Sequence, residues 1–181
     1  MKRTAYFLLA LLLIGSIAFA ARKHDPLTET EADQLRDAKH EPDKRLKLYI
    51  KFTDDRFDSL EQLRADPKQA QGRGNKVHDM LQDLTSLFDE ISSNLDAYGT
   101  QTMDKDQQKQ FRKGTKELIS ATARWTDKLR VLRNAAQMDP QAKVESRDYE
   151  FALRDAEDAL KSCSDTANDY AEEKNETKPK N

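Results

Sequence analysis

The side chains that could bind a metal are few, because this sequence contains only three histidines and one cysteine in 181 residues. Carboxylate-bridged di-iron sites in helical proteins use paired Glu-x-x-His elements. None of His24, His40 and His78 has a glutamate three residues before it. Asp37 precedes His40 by that spacing, but the pair has no second copy. Ligand number and ligand spacing therefore both argue against a specific metal site.

Haem binding and nucleophilic catalysis also lack their usual residues. Covalent haem attachment needs Cys-x-x-Cys-His, which the sequence does not contain. His78 and Met80 lie on one predicted helix, so they cannot ligate a haem from opposite sides. Cys163 has no histidine close to it in the sequence, and the glycines at 72 and 74 follow no predicted strand, so they form no phosphate-binding loop.

Two acidic pairs, Asp54-Asp55 and Asp89-Glu90, are the remaining candidates for acid–base chemistry. Such work needs a low-dielectric pocket that moves the two pKa values apart. Both pairs fall mainly on polar helix faces, where carboxylates are solvated. We therefore expect a protein that is not an enzyme and has no cofactor.

The single cysteine excludes an intramolecular disulfide. Cys163 falls on the apolar stripe of the last predicted helix, where a cysteine acts as a small buried hydrophobe. The alternative is a thiol that links two copies of the chain in an oxidising compartment. A homodimer therefore stays open at this point.

The elements that position these residues are long amphipathic helices. Between Val77 and Tyr98, apolar residues recur at alternating steps of four and three, which is the pattern of a helix that packs lengthwise on other helices. Equivalent stripes predict four long helices over residues 42–65, 77–98, 104–137 and 144–172, after a short helix over 28–39. Short polar connections favour an all-α antiparallel four-helix bundle in up-down-up-down order, with the short helix as an N-terminal addition. The alternative is a pair of long helical hairpins that is completed by dimerisation.

The N-terminal segment has the pattern of a secretory signal. Lys2 and Arg3 precede an apolar run over residues 6–20, which ends in Ala18-Phe19-Ala20. This pattern predicts a signal peptide over residues 1–20 with cleavage after Ala20. The run is shorter than the roughly 20 apolar residues that span a bilayer. We expect a mature protein in the periplasm or outside the cell, with a flexible lead-in over 21–27, one domain over 28–172 and a disordered tail over 173–181.

The charge pattern argues against nucleic acid as a partner. The chain has 31 basic and 33 acidic residues and a net charge of −2. A mildly acidic, mixed surface does not attract a phosphate backbone. Nothing after residue 20 is apolar enough for stable membrane insertion, so the expected partner is another protein.

Three apolar residues lie off the predicted stripes and are the candidates for a partner surface. Leu48 and Phe52 project from the outer side of the first long helix, and Phe151 projects from the last one. Tyr49 and Arg45 lie on the same side as the first two, and aromatic and arginine side chains are favoured at interfaces. The alternative is that the short N-terminal helix covers Leu48 and Phe52.

The segment Leu27-Thr28-Glu29-Thr30-Glu31 resembles the Leu-Thr-x-x-Gln motif of small helical periplasmic stress chaperones, with Glu31 at the glutamine position. The nearest second copy is Leu84-Thr85, where Phe88 replaces the glutamine. That resemblance implies chaperone-like binding, whereas a helix capping box explains the same residues. Through the signal and residues 41–67, the chain also resembles exported bacterial helical proteins that have no assigned activity.

These observations predict an exported helical protein that acts by non-catalytic protein–protein contact, as a scaffold, adaptor or chaperone-like binder. The alternative function is a carrier of metal or haem in the bundle core.

Overall fold

A computed structural model describes residues 25–138 and 140–172, and in this part of the chain all regular structure is helical. The six α-helices are α1 (Glu29–Asp37), α2 (Pro42–Ala65), α3 (Arg73–Thr100), α4 (Lys105–Met138), α5 (Pro140–Glu145) and α6 (Glu150–Glu172). Short 3-10 turns follow α2 at Pro67–Gln69 and α5 at Ser146–Asp148. The all-α class is therefore confirmed. The predicted signal peptide and tail lie outside the described residues, and no described helix is long and apolar enough to cross a membrane.

The short helix α1 begins at the predicted capping box. The Thr28 amide donates to Glu31 Oε2 over 2.8 Å, and the Glu31 amide donates to Thr28 Oγ1 over 3.3 Å. Arg56 on α2 then donates to both Glu31 oxygens, over 3.0 and 2.7 Å, and to the Pro26 carbonyl over 2.9 Å. Burial alone would raise the pKa of Glu31, but the hydrogen bonds from Arg56 and Thr28 and the charge of Arg56 outweigh it and lower that pKa. One carboxylate thus both starts α1 and ties it to α2.

Consecutive long helices run antiparallel. Between α2 and α3, Arg45 bonds to Asn94 and Tyr49 bonds to Glu90, so higher numbers on one helix meet lower numbers on the other. Between α4 and α6, Phe111 contacts Tyr170 and Arg133 pairs with Glu157 in the same sense.

Helices α2 and α4 lie side by side in parallel. Three ion pairs or hydrogen bonds join residues that are 70 positions apart: Asp43 with Lys113, Asp54 with Arg124 and Asp58 with Lys128. A constant difference in residue number is the signature of two helices that run in the same direction. Between α3 and α6, Ser92 bonds to Cys163 and Asp96 bonds to Tyr170, so residue numbers rise together on this pair as well. The two hairpins therefore pack with α2 beside α4 and α3 beside α6, a choice of neighbours that the apolar stripes do not encode.

The core is filled by large apolar side chains from all four long helices. Trp125 is fully buried, with its ring centroid 5.7 Å from that of Phe88 and 6.5 Å from that of Phe57. Leu160 on α6 is also buried, at 2 % exposed. The predicted stripe of the second long helix is buried throughout, from Val77 to Tyr98.

Two predicted helix boundaries are wrong. The second long helix is predicted over 77–98, just before Gly99, but α3 continues to Thr100; Gly99 allows close packing, since a Cβ there would collide with the Tyr170 ring. The predicted start of the last long helix near Val144 is also wrong. Val144 lies in the short helix α5, and a 3-10 turn separates α5 from α6, which begins at Glu150.

Thr53 is a buried residue whose hydroxyl has no hydrogen-bond partner in the described part of the chain. An unpaired buried hydroxyl costs about 1–3 kcal/mol. We predict that Thr53→Val, which keeps the shape, raises the free energy of unfolding by about 1 kcal/mol, measured by urea denaturation. The control is Thr115→Val, because the buried Thr115 hydroxyl donates to the Phe111 carbonyl over 2.8 Å. That control should give no gain, and an equal gain in both variants would contradict the prediction.

Candidate functional site

The predicted partner surface on α2 is wrong for Phe52, whose side chain is 1 % exposed. Leu48 is partly buried and packs against the same core. The reason is that α1 packs on this side of α2 and places Leu35, at 3 % exposed, in the same cluster. The alternative in which the short N-terminal helix covers this face accounts for the burial.

Phe151 is exposed as expected, with 71 % of its surface accessible. The other exposed large hydrophobic residues in the described chain are Val131 at 59 %, Met138 at 85 % and Val144 at 64 %. All four lie between residues 131 and 151, in the last two turns of α4, in α5 and in the first turn of α6. We call these four residues the apolar end. Phe151 was the only one of them that sequence reasoning singled out.

The local structure explains why these side chains point to solvent. Val131 and Met138 are seven residues apart on α4, a spacing that places both on one face. At the start of α6, Tyr149, Ala152 and Leu153 are buried, which leaves Phe151 on the outer side. The Arg154 guanidinium lies 5.0 Å from the centroid of the Phe151 ring. The aromatic ring is thus held by a cation while its other surface stays in water.

Close packing behind the apolar end holds it in place. Gly74 at the start of α3 allows the 3-10 turn to approach, because a Cβ there would collide with the Asp148 side chain and lie 2.9 Å from the Glu145 carbonyl oxygen. Arg73 donates to the Arg64 carbonyl over 2.7 Å and lies 3.5 Å from Glu145. Arg64, Arg73 and Glu145 line a cavity of about 170 Å³ together with Tyr149, whose pKa is raised by burial. Among the described residues that line this cavity, no nucleophile is paired with a base.

A second polar cluster joins α1, α2 and α3. Arg45 donates to Asn94 Oδ1 over 2.7 Å and to the Leu35 carbonyl over 2.9 Å. Asn94 donates to the Tyr49 hydroxyl over 2.8 Å, and that hydroxyl donates to Glu90 over 3.0 Å. Burial and the charge of Glu90 raise the pKa of Tyr49. Every group in this cluster bonds to another, so the arrangement suits structural cross-linking. Sequence reasoning placed Tyr49 and Arg45 on an outer surface and missed this role.

The carboxylates of the two acidic pairs contact different partners. Asp54 accepts hydrogen bonds from the Trp125 ring nitrogen over 2.7 Å and from Arg124 over 3.2 Å, whereas Asp55 pairs with Lys51. Glu90 belongs to the Arg45 cluster. The expectation that both pairs are merely solvated is therefore wrong for Asp54 and Glu90, which contact partners on neighbouring helices.

No group of three or more potential metal ligands occurs among the described residues. His78 contacts Asp79 over 3.3 Å, and His24 lies outside the described part of the chain. No ligand set in this part of the chain supports the metal or haem carrier alternative, which stays an untested prediction.

Cys163 is fully buried, and burial raises the pKa of its thiol to about 12. The thiolate is the reactive form of cysteine. We predict that native protein reacts with a water-soluble thiol reagent at least about a hundredfold more slowly than urea-unfolded protein. Spectroscopic detection of the released chromophore measures both rates. Rapid labelling of the native protein would contradict this result and would favour the disulfide-linked dimer.

Comparison with known proteins adds no relative: no family model, curated protein or solved structure matches this chain. The resemblance to the periplasmic stress chaperones stays a prediction. In this chain Glu31 replaces the motif's glutamine, and its carboxylate accepts hydrogen bonds from Thr28 and Arg56.

Proposed function

We propose that this protein is an exported four-helix bundle that works without catalysis, by binding another protein through the apolar end. The bundle arrangement is supported by the pairings of the long helices, since α2 contacts α3 and α4, and α6 contacts the same two helices. The aromatic side chains of Trp125, Phe88 and Phe57 fill the space between them. Export is supported by the sequence pattern of residues 1–20, and sequencing of a mature N-terminus at Ala21 tests it.

The observation that carries the binding proposal is the confinement of exposed large hydrophobic residues to one end. Elsewhere in the described chain, large apolar side chains are buried or partly buried. Clustered exposed apolar residues mark interaction sites more often than scattered ones do. Burying one such side chain contributes about 1.5–3 kcal/mol, so Met138 and Phe151 together could anchor a partner.

The residue types at this end suit a protein partner. Methionine, aromatic and arginine side chains are enriched at protein interfaces. Met138, Phe151 and Arg154 supply one of each, and Lys143 and Arg147 are exposed beside them. A partner with an apolar centre and a carboxylate-rich rim would match this surface.

A photo-crosslinking amino acid at Val144 tests the proposal in the native compartment. We predict one discrete adduct, whose yield falls at least about tenfold when Met138→Asp and Phe151→Asp are both present. These side chains are 85 % and 71 % exposed, so both substitutions should leave the fold intact. Mass spectrometry identifies the adduct and distinguishes a second copy of this chain from another protein.

The control places the same crosslinker at Gln110, an exposed residue near the opposite end of α4. Circular dichroism of the double variant checks that the helices remain. An adduct that forms equally from Gln110, or that survives both aspartate substitutions, would refute the apolar end as the binding site.

A further inference from the structure

Four cations line the outer face of the N-terminal half of α4. Lys105, Lys109, Arg112 and Lys116 follow one another at steps of four, three and four residues, so they lie on one face of the helix. All four are exposed, whereas Phe111 and Leu118 on the other side of α4 are buried. We call these four residues the basic stripe. At 1.5 Å per residue it extends over roughly 16 Å.

The basic stripe is unusual because its charges are not neutralised. None of its four members has an ion-pair partner in the described part of the chain, although the chain as a whole carries a net charge of −2. Lys113, on the flank of the stripe, pairs with Asp43 over 3.3 Å. Asp106 and Glu117 are the acidic residues of the same half-helix and lie on that flank.

The charges of the basic stripe destabilise α4. Like charges four residues apart repel, as in Lys105 with Lys109 and Arg112 with Lys116. Cations in the first turn also oppose the helix dipole, and Lys105 is the first residue of α4. The pattern therefore adds nothing to folding stability, and an anionic partner would relieve both effects.

A cleft that contains two aromatic side chains lies directly beside the stripe. It has a volume of about 200 Å³ and is lined in part by Met103, Phe111, Tyr170 and the stripe residue Arg112. Phe111 and Tyr170 contact each other edge to face, with ring centroids 5.9 Å apart. A row of cations next to a cleft with aromatic and methionine side chains in its lining matches an amphiphile that combines an anionic headgroup with a hydrocarbon chain.

We propose that the basic stripe docks on the anionic headgroups of a lipid bilayer, as a reversible peripheral contact. A planar array of headgroups meets all four cations on one straight helix face at once. The Phe111 and Tyr170 rings in the cleft beside Arg112 supply an apolar contact for the lipid region just below the headgroups. This surface and the apolar end belong to opposite halves of α4, so the two proposals stand independently.

Vesicle co-sedimentation of the full chain tests this proposal. Phosphatidylcholine vesicles with phosphatidylglycerol are compared with pure phosphatidylcholine, which corrects for any contribution of the apolar N-terminal run. The stripe variant carries Lys105→Gln, Lys109→Gln, Arg112→Gln and Lys116→Gln. A charge-matched control removes four exposed cations that belong to neither the stripe nor the apolar end: Lys39→Gln, Lys68→Gln, Lys76→Gln and Lys161→Gln.

We expect binding to the anionic vesicles that is lost at about 1 M salt, where the Debye length is about 3 Å. A cation near an anionic membrane surface contributes about fivefold in affinity, so the stripe variant should lose on the order of a hundredfold or more, and the control variant far less. Equal losses in the two variants, or equal binding to both vesicle types, would overturn the proposal. Stripe-dependent binding to single-stranded DNA without binding to vesicles would overturn it as well.

Discussion

Trp125→Ala should lower the free energy of unfolding by about 3–5 kcal/mol, the usual loss when a large buried aromatic side chain is truncated. Trp125 is fully buried and stacks between Phe57 and Phe88, so its removal leaves a cavity where α2, α3 and α4 meet. The same substitution leaves Asp54 without the ring N–H that donates to it over 2.7 Å. Urea denaturation followed by circular dichroism measures the change.

The matched control is Phe151→Ala, which truncates an aromatic side chain that is 71 % exposed. Surface substitutions of this kind usually change stability by less than about 0.5 kcal/mol. For a chain of this size, each kcal/mol corresponds to roughly 2–4 °C in melting temperature, so the two variants should differ by roughly 5–20 °C. Similar losses in both variants would mean that Trp125 is not at the centre of the core.

The periodicity of apolar residues predicted the helices because burial imposes it. Every member of the stripe from Val77 to Tyr98 is buried, since one face of α3 meets neighbours along its whole length. The same rule failed for Phe52 because α2 has more than one buried side. It packs on α3 and α4, and α1 covers a further face. An apolar stripe indicates that one face of a helix is buried, but it does not show whether other helices cover the remaining faces.

The choice of neighbouring helices and the close approaches between them are not encoded in the stripes. The predicted up-down-up-down order makes α2 and α4 parallel, but the stripes do not indicate whether these two helices lie side by side or on a diagonal; pairs such as Asp54 with Arg124 show that they lie side by side. Glycine often marks the end of a helix. Gly99 instead lies inside α3, where its lack of a side chain makes room for the ring of Tyr170, 71 residues later in the chain. Such contacts become visible only when the helices are placed together.

The candidate sites were predictable to different degrees. Phe151 departs from the apolar stripe of its helix, so its exposure could be inferred from spacing. Val131, Met138 and Val144 lie near the ends of predicted helices, where periodicity is too short to assign a face. The basic stripe is visible in the sequence as cations at helical spacing on α4, but its lack of ion-pair partners depends on which acidic residues lie near it in space.

Arg45→Met should lower the free energy of unfolding by about 2 kcal/mol, because it leaves several polar groups without a partner. Arg45 holds α1 through the Leu35 carbonyl and α3 through Asn94, over 2.9 and 2.7 Å. Its guanidinium also lies 3.5 Å from the Tyr49 hydroxyl, which donates to Glu90. Methionine keeps the apolar stem but donates no hydrogen bond, so the partly buried Glu90 loses the nearby positive charge.

The loss of stability in Arg45→Met should be greatest in α1. Without the bond to the Leu35 carbonyl, α1 should open more readily than α2 and α3, and amide hydrogen exchange should accelerate over Glu29–Asp37 first. The control is Arg36→Met, because Arg36 pairs only with Asp33 on the same helix and its side chain is 71 % exposed. An exposed pair of this kind contributes about 0.5 kcal/mol or less. If the two variants lose equal stability, or if exchange accelerates uniformly along the chain, the Arg45 cluster does not join α1 to the other helices.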